Sequence, residues 1–506
     1  MVLNIARYDF LLVAVVGFSG LALLVTRACK RRLPYPPGPT SFPVVGNLFS
    51  MPSREEWVTY KKWSEELGSD IIHAEVMGSH IVILNSIKAA NELLDKRSSI
   101  YSDRPPLVAI RELFGMDYNI ALVRYGTAWR HSRREFQANF GPADLEAYQP
   151  LEQRAVHCLL RNLLLSPDNF MQHLRHMAGQ VILSIAYGID VLPENDPYVA
   201  DAENVMNAFA FSTTKEALLL DLIPWLIKMP SWFPGARYKK FARKWYPIVV
   251  GAVKTTNDKV KSELATGTAA PSVAAKLISK LDEDSTEEEI WVARAVPGSM
   301  YLAGADTTVS VLQTFILAMI LYPEVQQKAQ SEIDRVVGKS RLPDFSDQDA
   351  LPYVQAVLKE VLRWHPVAPL GGPRKVVVSD IYEGYYIPAG STIIPNAWGM
   401  MHDPAVFAEP DRFYPERWLS PDAPAFPHQA FGFGSRQCPG RVLARASIWS
   451  NIVGILAAFD VTPTKDGPPE EAYSSGLVSY VKPFRCNILP RSAVAASLVR
   501  ATESEG

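Results

Sequence analysis

The stretch Phe431-Gly-Phe-Gly-Ser-Arg-Gln-Cys438-Pro-Gly440 sets a single cysteine in a glycine-rich turn just ahead of an amphipathic run over 441–459. Glycines permit backbone conformations that other residues avoid, and so an unusual turn. A sulfur held at the start of a helix feels the positive end of the dipole and nearby backbone N–H groups, which favour the thiolate and tune its electron donation. Those are the requirements of an axial iron ligand. A lone cysteine is more often a small buried apolar residue, so the rest of the chain must support the stronger reading. Two other uses of a glycine-rich turn fail on inspection. Gln437 stands where a dinucleotide-binding loop has its third glycine, and Ser435 lacks the flanking glycines of a hydrolase nucleophile elbow.

Upstream lie further pieces. Glu360-Val-Leu-Arg363 has the i, i+3 spacing that puts a carboxylate and a guanidinium on one helical face, and Phe413-Tyr-Pro-Glu-Arg417-Trp follows before the cysteine turn. Ala303-Gly-Ala-Asp306-Thr307-Thr308 interrupts an apolar helical run over 287–321. A mid-helix glycine costs about 1 kcal/mol relative to alanine, and an acid beside a hydroxyl in an apolar stretch needs a polar partner. A helix-internal bond from threonine to a preceding carbonyl would be the plainest use of that hydroxyl. Trp129-Arg-His-Ser-Arg133 places tryptophan and arginine on one helical face, and Arg374-Lys375 opens a strand after Pro373. His365 and His402 sit in proline-containing turns without a second ligand at metal spacing, which argues against both as iron ligands.

Taken in this order, the motifs make the chain resemble the cytochrome P-450 superfamily over nearly its whole length. The ten residues ending in Cys438-Pro-Gly440 match that family's haem signature at each defined position. The resemblance implies a mainly α cytochrome P-450 fold with small β-sheets, haem b as cofactor, Cys438 as axial ligand to the haem iron and Arg436 as a propionate partner. It further implies a propionate clamp at Trp129 and Arg133, and another basic contact at Arg374 or Lys375. Asp306 and Thr307 match the family's catalytic acid–alcohol pair, which guides protons at the oxygen-binding side. Glu360, Arg363 and Arg417 match its buried structural cluster. Within the superfamily, Pro366-Val-Ala-Pro-Leu-Gly-Gly-Pro and Tyr382-Glu-Gly-Tyr-Tyr-Ile-Pro-Ala-Gly resemble fungal microsomal enzymes of secondary metabolism and detoxification.

The implied activity is monooxygenation: O2 and two electrons insert one oxygen atom into an apolar organic substrate, such as a terpenoid or polyketide. No flavin or nicotinamide site is readable, so the electrons are expected from a separate NADPH-cytochrome P-450 reductase. By resemblance, 107–122, 208–214, 300–303, 367–370 and 476–478 line the substrate pocket. A haem-thiolate isomerase or dehydratase is the alternative, and Asp306-Thr307 argues against it because such chemistry needs no proton relay to dioxygen. A non-enzymatic haem- or lipid-binding membrane protein is opposed by the same pair.

Composition sets the outer bounds. The 506 residues are 48% hydrophobic and 21% charged, ordinary for a globular protein, and the net charge of -2 gives no basic field for nucleic acid. Cys29, Cys158, Cys438 and Cys486 form no metal-finger pair and no disulfide framework, which suits a reducing compartment. Residues 10–26 are uncharged and just long enough to span a bilayer, and Arg27, Lys30, Arg31 and Arg32 follow them. The positive-inside rule then puts the remainder in the cytosol, as for a single-pass protein of the endoplasmic reticulum membrane. Residues 1–32 therefore read as one N-terminal transmembrane anchor with its basic stop. Pro34-Tyr-Pro-Pro-Gly-Pro39 reads as a stiff hinge at the start of a catalytic domain over 33–491, with 492–506 as a tail. Apolar periodicity predicts helices over 55–67, 87–96, 145–165, 171–187, 245–264, 287–321, 323–337 and 353–364, and strands over 80–84, 375–378, 385–387 and 392–395. Pro297-Gly298 is expected to bend the first half of the long helix.

Overall fold

The computed structural model describes residues 33–193, 195–212, 220–221, 227–230 and 237–505. The anchor read over 10–26 and its basic stop lie outside the described residues. The described fold is mainly helical with small sheets, organised round the helix Glu287–Leu321. Thr286 starts that helix with a reciprocal cap. Its hydroxyl accepts the Glu289 N–H at 3.3 Å, and the Glu289 carboxylate accepts the Thr286 N–H at 2.8 Å. Glu287, Glu288 and Glu289 add negative charge where the dipole is positive. Among the described residues this is the one helix long and apolar enough to cross a membrane, but it is buried within the protein.

Helices Thr127–Gln137, Phe170–Tyr187, Pro197–Ser212 and Arg441–Ala458 all pack against it. Val309, Leu312, Phe315 and Ile316 share one core with Ile182, Ile452 and Leu456, and burial of each such large side chain contributes about 1.5–3 kcal/mol. Pro297 lies inside Glu287–Leu321 without dividing it. Val296, Pro297 and Gly298 are all buried there, so tertiary packing holds together a segment that local propensity alone would break.

The largest sheet has four strands in the order Ile71–Val76, Ser79–Leu84, Thr392–Pro395 and Arg374–Lys375, the middle pair parallel and the outer pairs antiparallel. Asp380–Tyr382 with Tyr385–Ile387, and Phe459–Thr462 with Asn487–Pro490, make two hairpin-like ribbons. The strand expected over 375–378 ends early. Val377 and Val378 are 45% and 58% exposed, and the Val377 N–H turns away to Ile100 O, so a run of valines carries β-propensity without a sheet partner. Ile87–Ala90 is α-helical but continues as a π-helix over Asn91–Lys96. A short helix, Ala493–Ala501, lies within the segment read as a tail, where Arg161 donates to the Thr502 carbonyl at 3.0 Å.

Candidate functional site

The cysteine turn is shaped by close approach. Gly434 has φ +48, and a Cβ there would stand 2.2 Å from Leu94 O, so only glycine fits. The Cys438 N–H donates to Phe431 O at 2.8 Å, closing the loop on itself, and Ser435 Oγ meets Ser102 Oγ at 2.7 Å. Burial pushes the Cys438 thiol up, while a Gly440 N–H and the charges of Arg133 and Arg441 pull it down. Burial dominates, so the helix start does not by itself keep the sulfur deprotonated. A metal cation on the sulfur would reverse that balance.

Beside the turn three arginines converge, Arg104 and Arg374 buried and Arg436 half-buried. Arg436 donates to Ser102 O at 2.9 Å and Val123 O at 2.8 Å, Arg104 to Ala121 O at 2.8 Å, and Arg374 to Leu94 O at 3.2 Å. Arg374 also donates to Phe433 O, which ties the strand Arg374–Lys375 to the cysteine turn. Burial, then repulsion from Arg104 and Arg374, holds the Arg436 guanidinium well below its ordinary range. Arg374 is lowered by burial and by Arg104. Guanidinium groups nevertheless remain protonated, so the cluster carries an unbalanced positive charge. Asp103, the nearby acid, is already engaged with Arg124 at 2.7 Å. Neutral carbonyls solvate these cations but do not neutralise them; an anionic group would.

Trp129 joins this cluster from the helix Thr127–Gln137, its ring 4.3 Å from the Arg436 guanidinium. Arg133, one turn on, is half-buried and lies within electrostatic reach of both Cys438 and Arg436. The pleat turns Lys375 to the face opposite Arg374. The Lys375 backbone N–H donates to Asp103 O at 2.8 Å. The residues thus present a thiol at one side and a cationic wall at another, which matches haem, a flat iron complex bearing two carboxylates.

On the long helix, Ala303 is exposed and Thr307, one turn on, half-buried, although the neighbours Leu302, Ala305 and Asp306 are buried. Gly304 supports close packing, since a Cβ there would lie 2.6 Å from Ile182 Cγ1. The Thr307 hydroxyl donates to Ala303 O at 2.7 Å. Asp306 is 9% exposed, and its Oδ2 has no hydrogen-bond partner among the described residues. Burial, then the nearby Glu203, raises its carboxyl to about 7, with Arg175 opposing. It therefore changes protonation near neutral pH.

Glu360, Arg363 and Arg417 form one buried cluster. Glu360 accepts from Arg363 Nε at 3.0 Å and Nη2 at 2.9 Å, from Arg417 Nε at 3.1 Å, from Trp418 Nε1 at 2.9 Å and from the Tyr414 N–H at 2.9 Å. The arginines spend their remaining donors on the carbonyls of Met401, Ala408, Glu409, Pro410 and Arg412. The cluster holds the segment after Met401 against the helix Pro352–Trp364. His402 stacks on Trp398 and His365 bonds to Ser479. Sequence reasoning missed Arg104 and its neighbour Asp103. Both sit in an irregular loop, with only the following Pro105-Pro106 as a mark.

The family model for cytochrome P450 matches residues 36–488. Cytochrome P-450 monooxygenase 208 of Postia placenta is 43% identical over 480 residues, 93% of each chain. The COX2 monooxygenase of Coprinopsis cinerea is 39% identical, covering 97% of this chain and 96% of its own. The claR monooxygenase of Ampulloclitocybe clavipes is 39% identical, covering 93% and 89%. All three are named cytochrome P-450 monooxygenases and come from fungi.

Proposed function

Because this chain belongs to the cytochrome P-450 family and is a haem b monooxygenase, we propose that it oxidises an apolar organic substrate in fungal secondary metabolism or detoxification, with Cys438 as its iron ligand. The observation that carries the site reading is the joining of half-buried Cys438, Arg133 and Arg436 with the buried Trp129 in one neighbourhood. Haem held by a thiolate supplies the activation of O2 by electrons. Arg374, Arg436 and Arg104 would hold the propionates, Trp129 covers the Arg436 guanidinium, and Arg133 would add positive charge near the Cys438 sulfur. Lys375, next to Arg374 on the strand, is the other basic candidate for a propionate. Asp306 carries protons inward, since its carboxyl, raised to about 7, both takes and gives one near neutrality. Thr307 orients them from the uncovered face of the helix. Apolar residues of 107–122, 300–303, 367–370 and 476–478 exclude water and orient the substrate. Of the segment 208–214, residues 213–214 lie outside the described residues.

Electrons come from an NADPH-dependent flavoprotein reductase. The apolar run 10–26 with its basic stop supports a single-pass anchor in the endoplasmic reticulum membrane, with the catalytic domain in the cytosol. The test is co-expression with such a reductase under isotopically labelled dioxygen. One labelled oxygen per product, dependent on NADPH, is the expected result. A product formed without NADPH and without label would point to isomerisation or dehydration.

A further inference from the structure

Away from the cysteine turn, a second sulfur stands among hydrogen-bond donors. Cys158 is half-buried on the helix Pro142–Leu165, which packs against Phe170–Tyr187. One turn on, the Asn162 side-chain amide donates to its Sγ at 3.7 Å. His176 hydrogen-bonds to it from the facing helix, and the guanidinium of Arg161, itself fixed on the Thr502 carbonyl at 3.0 Å, adds positive charge. The surroundings of Cys486 are the opposite: burial, then the nearby Asp168, pushes that thiol up to about 12.

The other bond of His176 locates its proton. Nε2 lies 2.7 Å from Leu192 O, and a carbonyl only accepts, so Nε2 carries hydrogen. That leaves Nδ1 for the sulfur, whose proton it can take. The bond between the two draws the Cys158 thiol below its ordinary value and the imidazole above its own, in each case against burial. Asp196 adds negative charge that favours a positive ring, while His173, lowered by burial, stays neutral. The ring's acceptor is fixed as well. The Leu192 N–H donates to Asp196 Oδ2 at 2.9 Å, and Asp196 Oδ1 accepts the Tyr198 and Val199 N–H groups at the start of the helix Pro197–Ser212.

We propose that Cys158 and His176 form a thiolate–imidazolium pair that reacts with hydrogen peroxide, making Cys158 a site of oxidation to sulfenic acid. The sulfur attacks one peroxide oxygen, and an S–O bond forms as the O–O bond breaks. Sulfur gives up the two electrons that reduce the peroxide, and the leaving hydroxide takes the Nδ1 proton of His176 to become water. Hydrogen peroxide is what O2 and two electrons yield when a monooxygenase fails to insert oxygen, so uncoupled turnover supplies the oxidant. Half-exposure and a polar, partly cationic setting are what a reactive thiol needs.

The test alkylates full-length holoenzyme, wild type and His176→Gln, with iodoacetamide from about pH 6 to about pH 9, reading Cys158 by peptide mass spectrometry. Near pH 7 an ordinary thiol, which titrates at about 8.5, is only a few per cent thiolate. Wild type should therefore react about tenfold faster there than His176→Gln, the gain in thiolate being partly offset by its lower nucleophilicity. The wild-type rate should also reach half its maximum at lower pH. Hydrogen peroxide followed by dimedone should tag Cys158 in wild type and leave Cys486 untagged. Equal rates and midpoints in the two proteins, or no dimedone on Cys158, overturn the proposal. Should His176→Gln fail to accumulate, a wild-type midpoint at about 8.5 or above overturns it equally. These readouts do not involve the iron, so their failure leaves the monooxygenase reading standing.

Discussion

The guanidinium of Arg436 sits 4.3 Å from the ring centre of Trp129, joining the cysteine turn to the helix Thr127–Gln137. A half-buried cation against an indole face contributes about 1 kcal/mol, and here it also steers the arginine's remaining donors. Trp129→Ala should loosen haem retention by about tenfold, a loss of about that size, with Trp129→Phe in between. Haem transfer to apomyoglobin measures this. Equal retention by all three proteins would show the ring to be packing alone.

Glu360 is the sole carboxylate bonded by Arg363 and Arg417 among the described residues, and it is fully buried. Glu360→Gln keeps the shape but leaves two buried guanidinium groups uncompensated, which costs about 3–5 kcal/mol. Denaturant unfolding should show it, if the variant accumulates at all. The exposed pair Lys62–Glu66, 3.6 Å apart, is the control; its removal should shift the midpoint hardly at all.

Glu152 offers a different kind of pH dependence. It is 1% exposed, and neither carboxylate oxygen has a partner among the described residues. Burial raises its carboxyl from 4.5 to about 8. The unfolded chain therefore releases this proton at lower pH than the folded one, and stability falls as pH rises from about 4.5 to about 8, by up to roughly 1.4 kcal/mol per unit. Glu152→Gln should be more stable than wild type, with a gap that widens between pH 6 and pH 8. Parallel melting curves across that range would contradict the account.

Legibility in the sequence followed the strength of the local signal. The helix Glu287–Leu321 was expected over 287–321 because apolar residues recur through it at helical spacing. The Glu360–Arg363 pairing was legible because both members lie on one helix, three residues apart, whereas its burial came only from the family resemblance. Arg104 was not, because a loop arginine owes its burial to partners, Ala121 and Pro373, that only the folded chain brings near. The strand Ile71–Val76 also escaped, since its inward residues interrupt the strict alternation that marks a half-buried strand. Ala493–Ala501 buries only Ala495, Ala496 and Val499, too short a stripe to register as a period.

Asp306 and Thr307 should separate by readout. Thr307→Ala removes the hydroxyl that now bonds Ala303 O. NADPH consumption should continue, with a larger share ending as hydrogen peroxide. Asp306→Asn should slow the whole cycle. A proton donor whose carboxyl is raised to about 7 is lost as pH rises through that value, so wild-type turnover should fall above about pH 7, a limb that Asp306→Asn lacks. Product and peroxide per NADPH, with reductase in excess, decide both. Full coupling in Thr307→Ala would leave the hydroxyl as a helix-internal bond and nothing more.

The most direct test of the whole account is the absorption spectrum of the reduced, carbon-monoxide-bound protein, wild type against Cys438→Ser. Thiolate ligation gives a strongly red-shifted Soret band, because sulfur donates electron density to iron that a hydroxyl does not. Wild type should show that band and Cys438→Ser should lack it. A Cys438→Ser protein that keeps the red-shifted band would mean that another residue ligates the iron, contradicting the site described here.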